Sequence, residues 1–327
     1  MSAVSLDPEE LLSRARGDAS DPSSKVALAR LISLVERGGD PAREVGRLAY
    51  PLSGNAYTIG ITGAPGAGKS TLNDTLITQA RAEGTVAVLA IDPTSPFTGG
   101  AILGDRLRMN EHYQDPGVYI RSMATRGHMG GLAFAVPETV RLLDAAGFST
   151  VVIETVGVGQ VEVEVAGAAD TTVVVVNPGW GDSVQANKAG LMEIADVFAV
   201  NKADRPGAKE TVRDLEGMLD LASGGSWRPP VVTTVASTGE GVAELYAAIG
   251  KHRSHLENSG ELEARRARRI SDELLRVLRG RLEEWVRLRW SEPEVEQLRD
   301  LCERREIDPY AAADQIVRRV LDGGDSD

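Results

Sequence analysis

The chain carries a short glycine-rich segment of the type that binds phosphate. Residues 63–70 read Gly-Ala-Pro-Gly-Ala-Gly-Lys-Ser and fit the pattern G-x-x-x-x-G-K-[ST] of a phosphate-binding loop, or P-loop. Glycines let the backbone approach a phosphate closely, and successive N–H groups then form a nest for its oxygens. We predict that Lys69 reaches the β- and γ-phosphates and that the Ser70 hydroxyl holds Mg²⁺. The predicted phosphate-binding residues are Gly63, Ala64, Pro65, Gly66, Ala67, Gly68, Lys69, Ser70 and Thr71.

Three acidic residues lie where they can complete a magnesium site. Asp92 and Glu154 each follow a short apolar run, and Asp105 stands in a Gly-rich stretch between them. Acidic groups close to a phosphate site require a cation between them, and Mg²⁺ prefers oxygen ligands. Asp105 can also cap a helix that begins at Arg106, and the two roles are compatible. The predicted metal residues are Ser70, Asp92, Asp105 and Glu154.

The residues that would activate water are less clearly marked. Gly157 is followed by Val158, at the position where a glutamine orients the attacking water in Ras-like proteins. Valine cannot do this, so we predict slow intrinsic hydrolysis, or a water held by Asp92, Asp105 or a partner residue. Lys188, on a predicted helix over 183–192, is either a movable positive charge or an exposed helix lysine. The candidate catalytic residues are Lys69, Asp92, Asp105 and Lys188.

A second motif predicts which base is bound. Residues 201–204 read Asn-Lys-Ala-Asp, and the Asp204 carboxylate can accept hydrogen bonds from guanine N1 and the 2-amino group. Adenine lacks both donors, so an unpaired carboxylate would discriminate against it. We expect Asn201 to lie near O6 and N7, and the Lys202 stem to cover the base. Downstream, Ala236, Ser237 and Thr238 are placed to present a backbone N–H to O6. The predicted ligands are therefore GTP and GDP.

These motifs follow short apolar runs that alternate with helical stretches. The runs are rich in β-branched residues and mostly lack polar alternation, which is typical of parallel strands buried on both faces. The chain is therefore predicted to form an α/β P-loop NTPase fold, a doubly wound and mostly parallel sheet with its ligand beyond the carboxyl ends of the strands. The predicted strands are 57–62, 86–91, 118–120, 151–153, 172–176, 197–200 and 231–235.

Helical extensions are predicted on both sides of this domain. Residues 1–52 form an N-terminal helical extension, 53–257 the nucleotide-binding domain and 258–327 a C-terminal helical arm. The N-terminal extension either packs on the core or docks a partner. The C-terminal arm carries an apolar stripe that either packs against the nucleotide-binding domain or is buried on a second protomer. The stripe comprises Ile270, Leu274, Leu278, Leu282, Trp285 and Leu288.

Composition narrows the class of protein. The 327 residues carry a formal net charge of −12, which argues against nonspecific nucleic-acid binding. No apolar run approaches the roughly 20 residues of a membrane helix, so we expect no membrane association. The first residues lack the features of a secretory signal. Cys302 is the single cysteine, which excludes an internal disulfide and suits a reducing cytoplasm.

Together these motifs resemble the MeaB/ArgK family of P-loop GTPases. The resemblance extends from about residue 39 to 291 and is carried by four segments. Two of them, at 90–109 and 154–162, are far more specific than the P-loop. The segments read G-I-T-G-A-P-G-A-G-K-S-T, A-I-D-P-T-S-P-F-T-G-G-A-I-L-G-D-R-L-R-M, E-T-V-G-V-G-Q-V-E and V-N-K-A-D.

The resemblance implies a homodimeric GTPase that serves an adenosylcobalamin-dependent acyl-CoA mutase. Such a protein gates cofactor delivery and protects the mutase from inactivation. Ser70, Asp92, Asp105 and Glu154 would surround Mg²⁺, and residues 179–188 would relay the nucleotide state to the mutase. That segment and residues 121–131 look closer to the GTPase part of fused isobutyryl-CoA mutases. The client is therefore open between methylmalonyl-CoA and isobutyryl-CoA mutases.

Two other functions are compatible with the same nucleotide-binding motifs. A metallochaperone GTPase for a nickel enzyme needs Cys and His ligands at metal spacing, whereas this chain has one cysteine and four histidines without a convincing cluster. A kinase linked to amino-acid transport would need a feature that recognises the phosphate acceptor, and the sequence offers none. Both are less well supported than the mutase chaperone.

Overall fold

A computed structural model describes most of the chain. The described residues are 7–17, 21–93, 112, 114–125, 131–155, 167–179, 190, 192–221 and 225–322, with the backbone alone for 92–93, 124–125, 131–134 and 319–322. The chain forms two compact units, Met1–Arg266 and Ala267–Asp327. The predicted boundaries at residues 52 and 257 stay predictions.

A seven-stranded parallel sheet forms the centre of the first unit. Within the described residues its strand order is β3-β2-β4-β1-β5-β6-β7, and every neighbouring pair is parallel. All seven predicted runs are strands, which confirms the predicted doubly wound sheet. The strands are β1 Tyr57–Gly63, β2 Val86–Pro93, β3 Val118–Thr125, β4 Thr150–Thr155, β5 Thr171–Val176, β6 Val197–Asn201 and β7 Val231–Thr234.

Ten α-helices occur in the part of the chain that the structure describes. The second is capped at its N-terminus by Asp21, whose side chain accepts a hydrogen bond from the Ser23 N–H. Its C-cap is Gly38, which has a positive φ of 73°. A short 3₁₀ helix at Tyr50–Leu52 follows the third. The helices are α1 Pro8–Ala15, α2 Pro22–Arg37, α3 Gly39–Ala49, α4 Lys69–Arg81, α5 Gly131–Ala145, α6 Ala208–Leu221, α7 Val242–Ser259, α8 Glu261–Arg289, α9 Pro293–Glu303 and α10 Pro309–Asp322.

Alternate residues of the central strands face opposite sides of the sheet. On β2, Leu89 belongs to a core with α1, α2, α3 and α5, whereas its neighbour Val88 belongs to a core with α4 and α7. Both faces are therefore covered, which explains why the strands lack polar alternation. The N-terminal helices contribute Leu28, Leu31 and Ile32 to the first core, each at most 2% exposed, so this extension packs on the sheet.

The amino ends of the strands hold a network of buried charged and polar groups. Arg266 at the start of α8 donates to the Asp170 carboxylate just before β5, at 2.7 Å, and the Thr58 N–H donates to the same group at 3.1 Å. Asp196, just before β6, accepts from Arg265 at 3.1 Å. Burial raises the pKa of the nearby Tyr57 phenol. This end of the sheet is thus joined by ion pairs to the first two turns of α8, which belong to the same unit.

The second unit consists of the rest of α8 with α9 and α10. Along α8 the predicted apolar positions fall on a continuous helix of 29 residues. Ile270, Leu274, Leu278 and Leu282 are between 46% and 66% exposed in this chain. None of the described helices is both long and apolar enough to cross a membrane.

Candidate functional site

The P-loop connects the carboxyl end of β1 to the start of α4. β1 lies at the centre of the sheet, beside the point where the strand order reverses, and this is where ligands bind in open α/β sheets. Gly63, the last residue of β1, has a φ of 136°, and a Cβ placed on it would lie 2.0 Å from the Val175 carbonyl oxygen. Gly68 has a φ of 91°, and its Cβ would lie 2.4 Å from Asn201 Nδ2. Both positions therefore require glycine.

Lys69 opens α4 and is buried beneath the loop. Its Nζ donates to the Gly63 carbonyl oxygen at 2.7 Å and to the Ala64 carbonyl oxygen at 3.1 Å. The ammonium group therefore lies on the inner side of the loop, at the positive end of the α4 dipole. A helix start together with a lysine forms an environment that suits an anion.

Ser70 and Glu154 meet across the loop. The Ser70 hydroxyl donates to Glu154 Oε1 at 2.6 Å, and the side chain of Asn73, one turn further along α4, donates to Glu154 Oε2 at 2.9 Å. Glu154 is 1% exposed and lies at the carboxyl end of β4. A hydroxyl and a carboxylate in direct contact form a set of oxygen donors, which fits the ligand preference of Mg²⁺.

The Asn201 amide connects the P-loop to the loop that follows β7. Its Nδ2 donates to the Ala67 carbonyl oxygen at 2.8 Å, and its Oδ1 accepts from the Ala236 N–H at 3.1 Å and the Thr234 hydroxyl at 3.2 Å. The structure therefore gives this buried side chain a bridging position between two loops. Its contact with guanine O6 and N7 stays a prediction.

Lys202 also contacts the P-loop, whereas Asp204 faces solvent. Lys202 is one of two non-glycine residues with positive φ in the described chain, at 60°, and its Nζ donates to the Gly66 carbonyl oxygen at 2.6 Å. The lysine stem thus runs from the β6 end towards the loop. The side chain of Asp204 is exposed and open to a ligand. Asn201 and Lys202 both contact the P-loop. This follows from the parallel sheet, because the carboxyl ends of β1 and β6 lie at the same edge.

Residues 236–238, the last segment predicted to contact the base and called the base loop below, form a tight turn. The N–H groups of Thr238 and Gly239 both donate to the Val235 carbonyl oxygen at 3.0 Å, and Val235 and Glu240 form an isolated antiparallel bridge. Ala236 is buried, whereas Ser237 and Thr238 are exposed. The turn therefore lies beside Asn201, with two of its three predicted ligand-binding residues open to solvent.

Several predicted residues lie outside the described part of the chain. These are Asp105, Gly157, Val158, and residues 180–188 of the segment predicted to relay the nucleotide state, which include Lys188. The backbone of Asp92 lies near the carboxyl end of β2, but its side chain is not described. The predicted helix over 183–192 lies almost wholly outside as well. Their roles at the site stay predictions.

Sequence reasoning missed one residue of this site, Asn73. It lies three residues after Ser70, the spacing that places two helix side chains on the same face. An asparagine inside a helix is a modest helix former and usually indicates an exposed position, so its residue type did not single it out. Its signal was the position one turn after the P-loop serine.

No group of three or more His, Cys, Asp or Glu side chains is arranged to hold a metal ion among the described residues. The nickel metallochaperone alternative therefore gains no support from this part of the chain. This does not bear on the predicted magnesium site, because two of its three carboxylate side chains, those of Asp92 and Asp105, lie outside the described residues.

Comparison with known proteins identifies the family. The model of the family described as methylmalonyl-CoA mutase-associated GTPase MeaB matches residues 28–290. A protein from Pyrococcus abyssi named "Putative GTPase" is 53% identical over 91% of this chain and 94% of its own. GTPase ArgK from Escherichia coli is 37% identical over 80% of this chain and 76% of its own.

A solved structure shares the fold over almost the whole length. The crystal structure titled LAO/AO transport system kinase superposes with a TM-score of 0.69 at 26% identity and covers 98% of this chain and 100% of its own. This confirms the predicted P-loop NTPase fold with helical extensions, and the relatives confirm the resemblance found in the motifs. The chain therefore belongs to the MeaB family of methylmalonyl-CoA mutase-associated GTPases.

Proposed function

We propose that this protein hydrolyses GTP to GDP and phosphate with the help of Mg²⁺. The observation that carries the proposal is the meeting of three elements at the P-loop. Lys69 lies beneath it, Ser70 contacts the Glu154 carboxylate, and the Asn201 amide ties it to the base loop. The residues predicted to bind phosphate, metal and base are thus adjacent, as a bound nucleoside triphosphate requires.

The chain's own residues have distinct tasks in this proposal. Lys69 exchanges its two carbonyl partners for phosphate oxygens when the nucleotide binds, and the N–H groups of the loop orient those phosphates. Ser70 and Glu154, with Asp92 and Asp105, would hold Mg²⁺, which would neutralise the charge that develops on the phosphates. Asp204 selects guanine. Asp92, Asp105 and Lys188 are the candidates for positioning water.

We further propose that the nucleotide state is read by an adenosylcobalamin-dependent acyl-CoA mutase. The support is the family description, which names a methylmalonyl-CoA mutase-associated GTPase. GTP- and GDP-bound forms would differ in the segments at 92–105, 157–160 and 179–188 and so gate cofactor loading and protect the mutase. Linkage then requires that the mutase alter nucleotide affinity in return.

The test is GTP hydrolysis with and without purified mutases, using methylmalonyl-CoA and isobutyryl-CoA mutases in parallel. We expect one mutase to stimulate turnover. We expect Lys69→Ala to lower turnover by about 10²–10³-fold, because the variant lacks the positive charge that stabilises the negative charge on the phosphates in the transition state. Turnover that neither mutase alters would contradict the chaperone role. Turnover unaffected by Lys69→Ala would contradict the hydrolysis itself.

The homodimer is a separate proposal that rests on α8. Its apolar positions are exposed along one stripe, and a second copy of the chain offers a matching stripe. We expect the protein to sediment as a dimer and the double variant Leu274→Glu/Leu278→Glu to sediment as a monomer. The control is Glu273→Gln/Asp272→Asn, which changes neighbouring residues but leaves the stripe intact. A dimer that persists in the first variant would contradict the proposal.

A further inference from the structure

Asn73 is a polar side chain fully enclosed beside the predicted magnesium site. It is 0% exposed, and its Nδ2 donates to Glu154 Oε2 at 2.9 Å. Its own Oδ1 is buried and has no hydrogen-bond partner among the described residues. A buried amide oxygen without a partner costs about 1–3 kcal/mol, so an apolar residue would be the cheaper choice for packing alone. Packing alone therefore does not explain an asparagine here, and its bond to Glu154 is the contact that does.

The contact geometry indicates what the amide does instead. Ser70 and Asn73 are one helical turn apart on α4, and each donates to a different oxygen of Glu154, at 2.6 and 2.9 Å. The two bonds hold the carboxylate at both ends, along one face of the helix. With both oxygens held, the carboxyl group cannot rotate about its terminal torsion without breaking one of them, and that torsion is otherwise broad.

We propose that Asn73 is a positioning residue for the magnesium site. By holding Glu154 Oε2, it keeps Oε1 against the Ser70 hydroxyl, so that the carboxylate is already oriented when the metal ion arrives. The inference rests on the proposed function, since it assigns Asn73 a task only if Ser70 and Glu154 serve Mg²⁺. Partners of this kind, one shell beyond the metal ligands, alter metal affinity by about 10–100-fold when they are removed.

The test compares Mg²⁺ dependence rather than turnover. Binding of a fluorescent GTP analogue is followed as Mg²⁺ is titrated, with an excess of chelator as the metal-free baseline. In Asn73→Leu we expect the Mg²⁺ concentration at half-maximal binding to rise about tenfold, while metal-free affinity stays within about twofold. Asn73→Ser retains a donor on a shorter side chain, so its midpoint should lie between those of the wild type and the leucine variant.

Two controls separate positioning from a loss of stability. Ile77→Val removes one methylene from a fully buried residue of the same helix that belongs to the core with α7, and its Mg²⁺ midpoint should equal that of the wild type. In a Glu154→Gln background, Asn73→Leu should produce no further shift, because the group that Asn73 positions is already altered.

The outcomes are distinct. A midpoint within twofold of wild type in folded Asn73→Leu, or a midpoint of Asn73→Ser equal to that of the wild type, overturns the role of Asn73, and so does an equal shift in Ile77→Val. Additive shifts in the Glu154→Gln background also overturn it. If the leucine variant does not fold, the serine variant decides. If the wild-type protein itself binds no nucleotide in a Mg²⁺-dependent way, the proposed function fails, and the role of Asn73 fails with it.

Discussion

The two ends of the parallel sheet each bury a carboxylate, but they hold it with different groups. At the amino end, Asp170 is 1% exposed and accepts from the Arg266 guanidinium at 2.7 Å. At the carboxyl end, Glu154 is also 1% exposed and accepts from the Ser70 hydroxyl and the Asn73 amide. The donor described at the amino end is thus a guanidinium, whereas the two donors described at the carboxyl end are a hydroxyl and an amide.

This difference indicates which end of the sheet contributes to stability and which end contributes to nucleotide binding. A carboxylate paired with a guanidinium has its charge compensated inside the protein, and breaking that pair leaves a buried charge. A carboxylate held by a serine hydroxyl lies beside an oxygen that still has lone pairs for a metal ion. We therefore expect changes at the amino end to alter stability, and changes at the carboxyl end to alter nucleotide binding.

The largest effect should come from Asp170→Ala. Removing this carboxylate leaves Arg266 without its buried partner, and we expect the free energy of unfolding to fall by about 3 kcal/mol. Urea denaturation measures it, and GTP affinity under native conditions should stay unchanged. Asp272→Ala, at an exposed aspartate on α8, is the control and should change stability by less than about 0.5 kcal/mol. An equal loss in both variants would remove the distinction between the two ends.

The second prediction addresses the carboxyl end. Asp204→Asn exchanges the carboxylate that pairs with guanine N1 and the 2-amino group for an amide. We expect GTP affinity to fall about 30-fold, the equivalent of about 2 kcal/mol, and XTP affinity to rise, because the amide can donate to the xanthine 2-oxygen. The unfolding curve should not move, since the residue is exposed. Asp214→Asn, an exposed aspartate on α6, should alter neither quantity; unchanged GTP affinity in Asp204→Asn would refute the assigned role.

The smallest effect is expected from Asp115→Asn, at a half-exposed ion pair near the amino end. Burial acts to raise the pKa of Asp115, but the Gly117 N–H and the Arg81 guanidinium outweigh it and hold the pKa below its usual value. A lowered folded-state pKa adds stability above the unfolded pKa of about 3.9, and this is lost as the pH falls through the folded value. At pH 7 the free energy of unfolding of the wild type should exceed that of Asp115→Asn by less than about 1 kcal/mol.

Chemical denaturation at several pH values tests this. The difference between wild type and Asp115→Asn should vanish in strong acid, where both carry a neutral side chain at position 115. It should also shrink at high salt, which screens a partly exposed pair. A difference that persists below pH 2 would show that the hydrogen bond to Gly117, rather than the charge, is the stabilising contact.

The sheet and the P-loop were predictable because their signals are local. Buried parallel strands must be apolar on both faces, so runs such as 171–176 are visible without knowledge of any partner. The P-loop carries its own glycines and lysine within eight residues. The bridging position of Asn201 was not predictable, because its partners Ala67 and Ala236 lie 134 and 35 residues away in the chain.

Contacts between distant polar residues account for what was missed. Arg266 and Asp170 are 96 residues apart, and Asn73 and Glu154 are 81 residues apart. No spacing rule relates such pairs until the strand order is known. Once β4 is placed beside β1, the carboxyl end of β4 must lie over the first turns of α4, and the contact between Glu154 and Asn73 follows.

The close approach of Gly63 to the β5 backbone has a consequence for how relatives are interpreted. A side chain there would collide with the Val175 carbonyl oxygen, whereas a Cβ on Gly66 would meet nothing within 4 Å. The first glycine of the motif is therefore demanded by the architecture even in a protein that binds no ligand. A relative with this fold that had lost its activity would therefore keep Gly63 after it had lost Lys69. The lysine, rather than the glycine, indicates that a relative still has a functional nucleotide site.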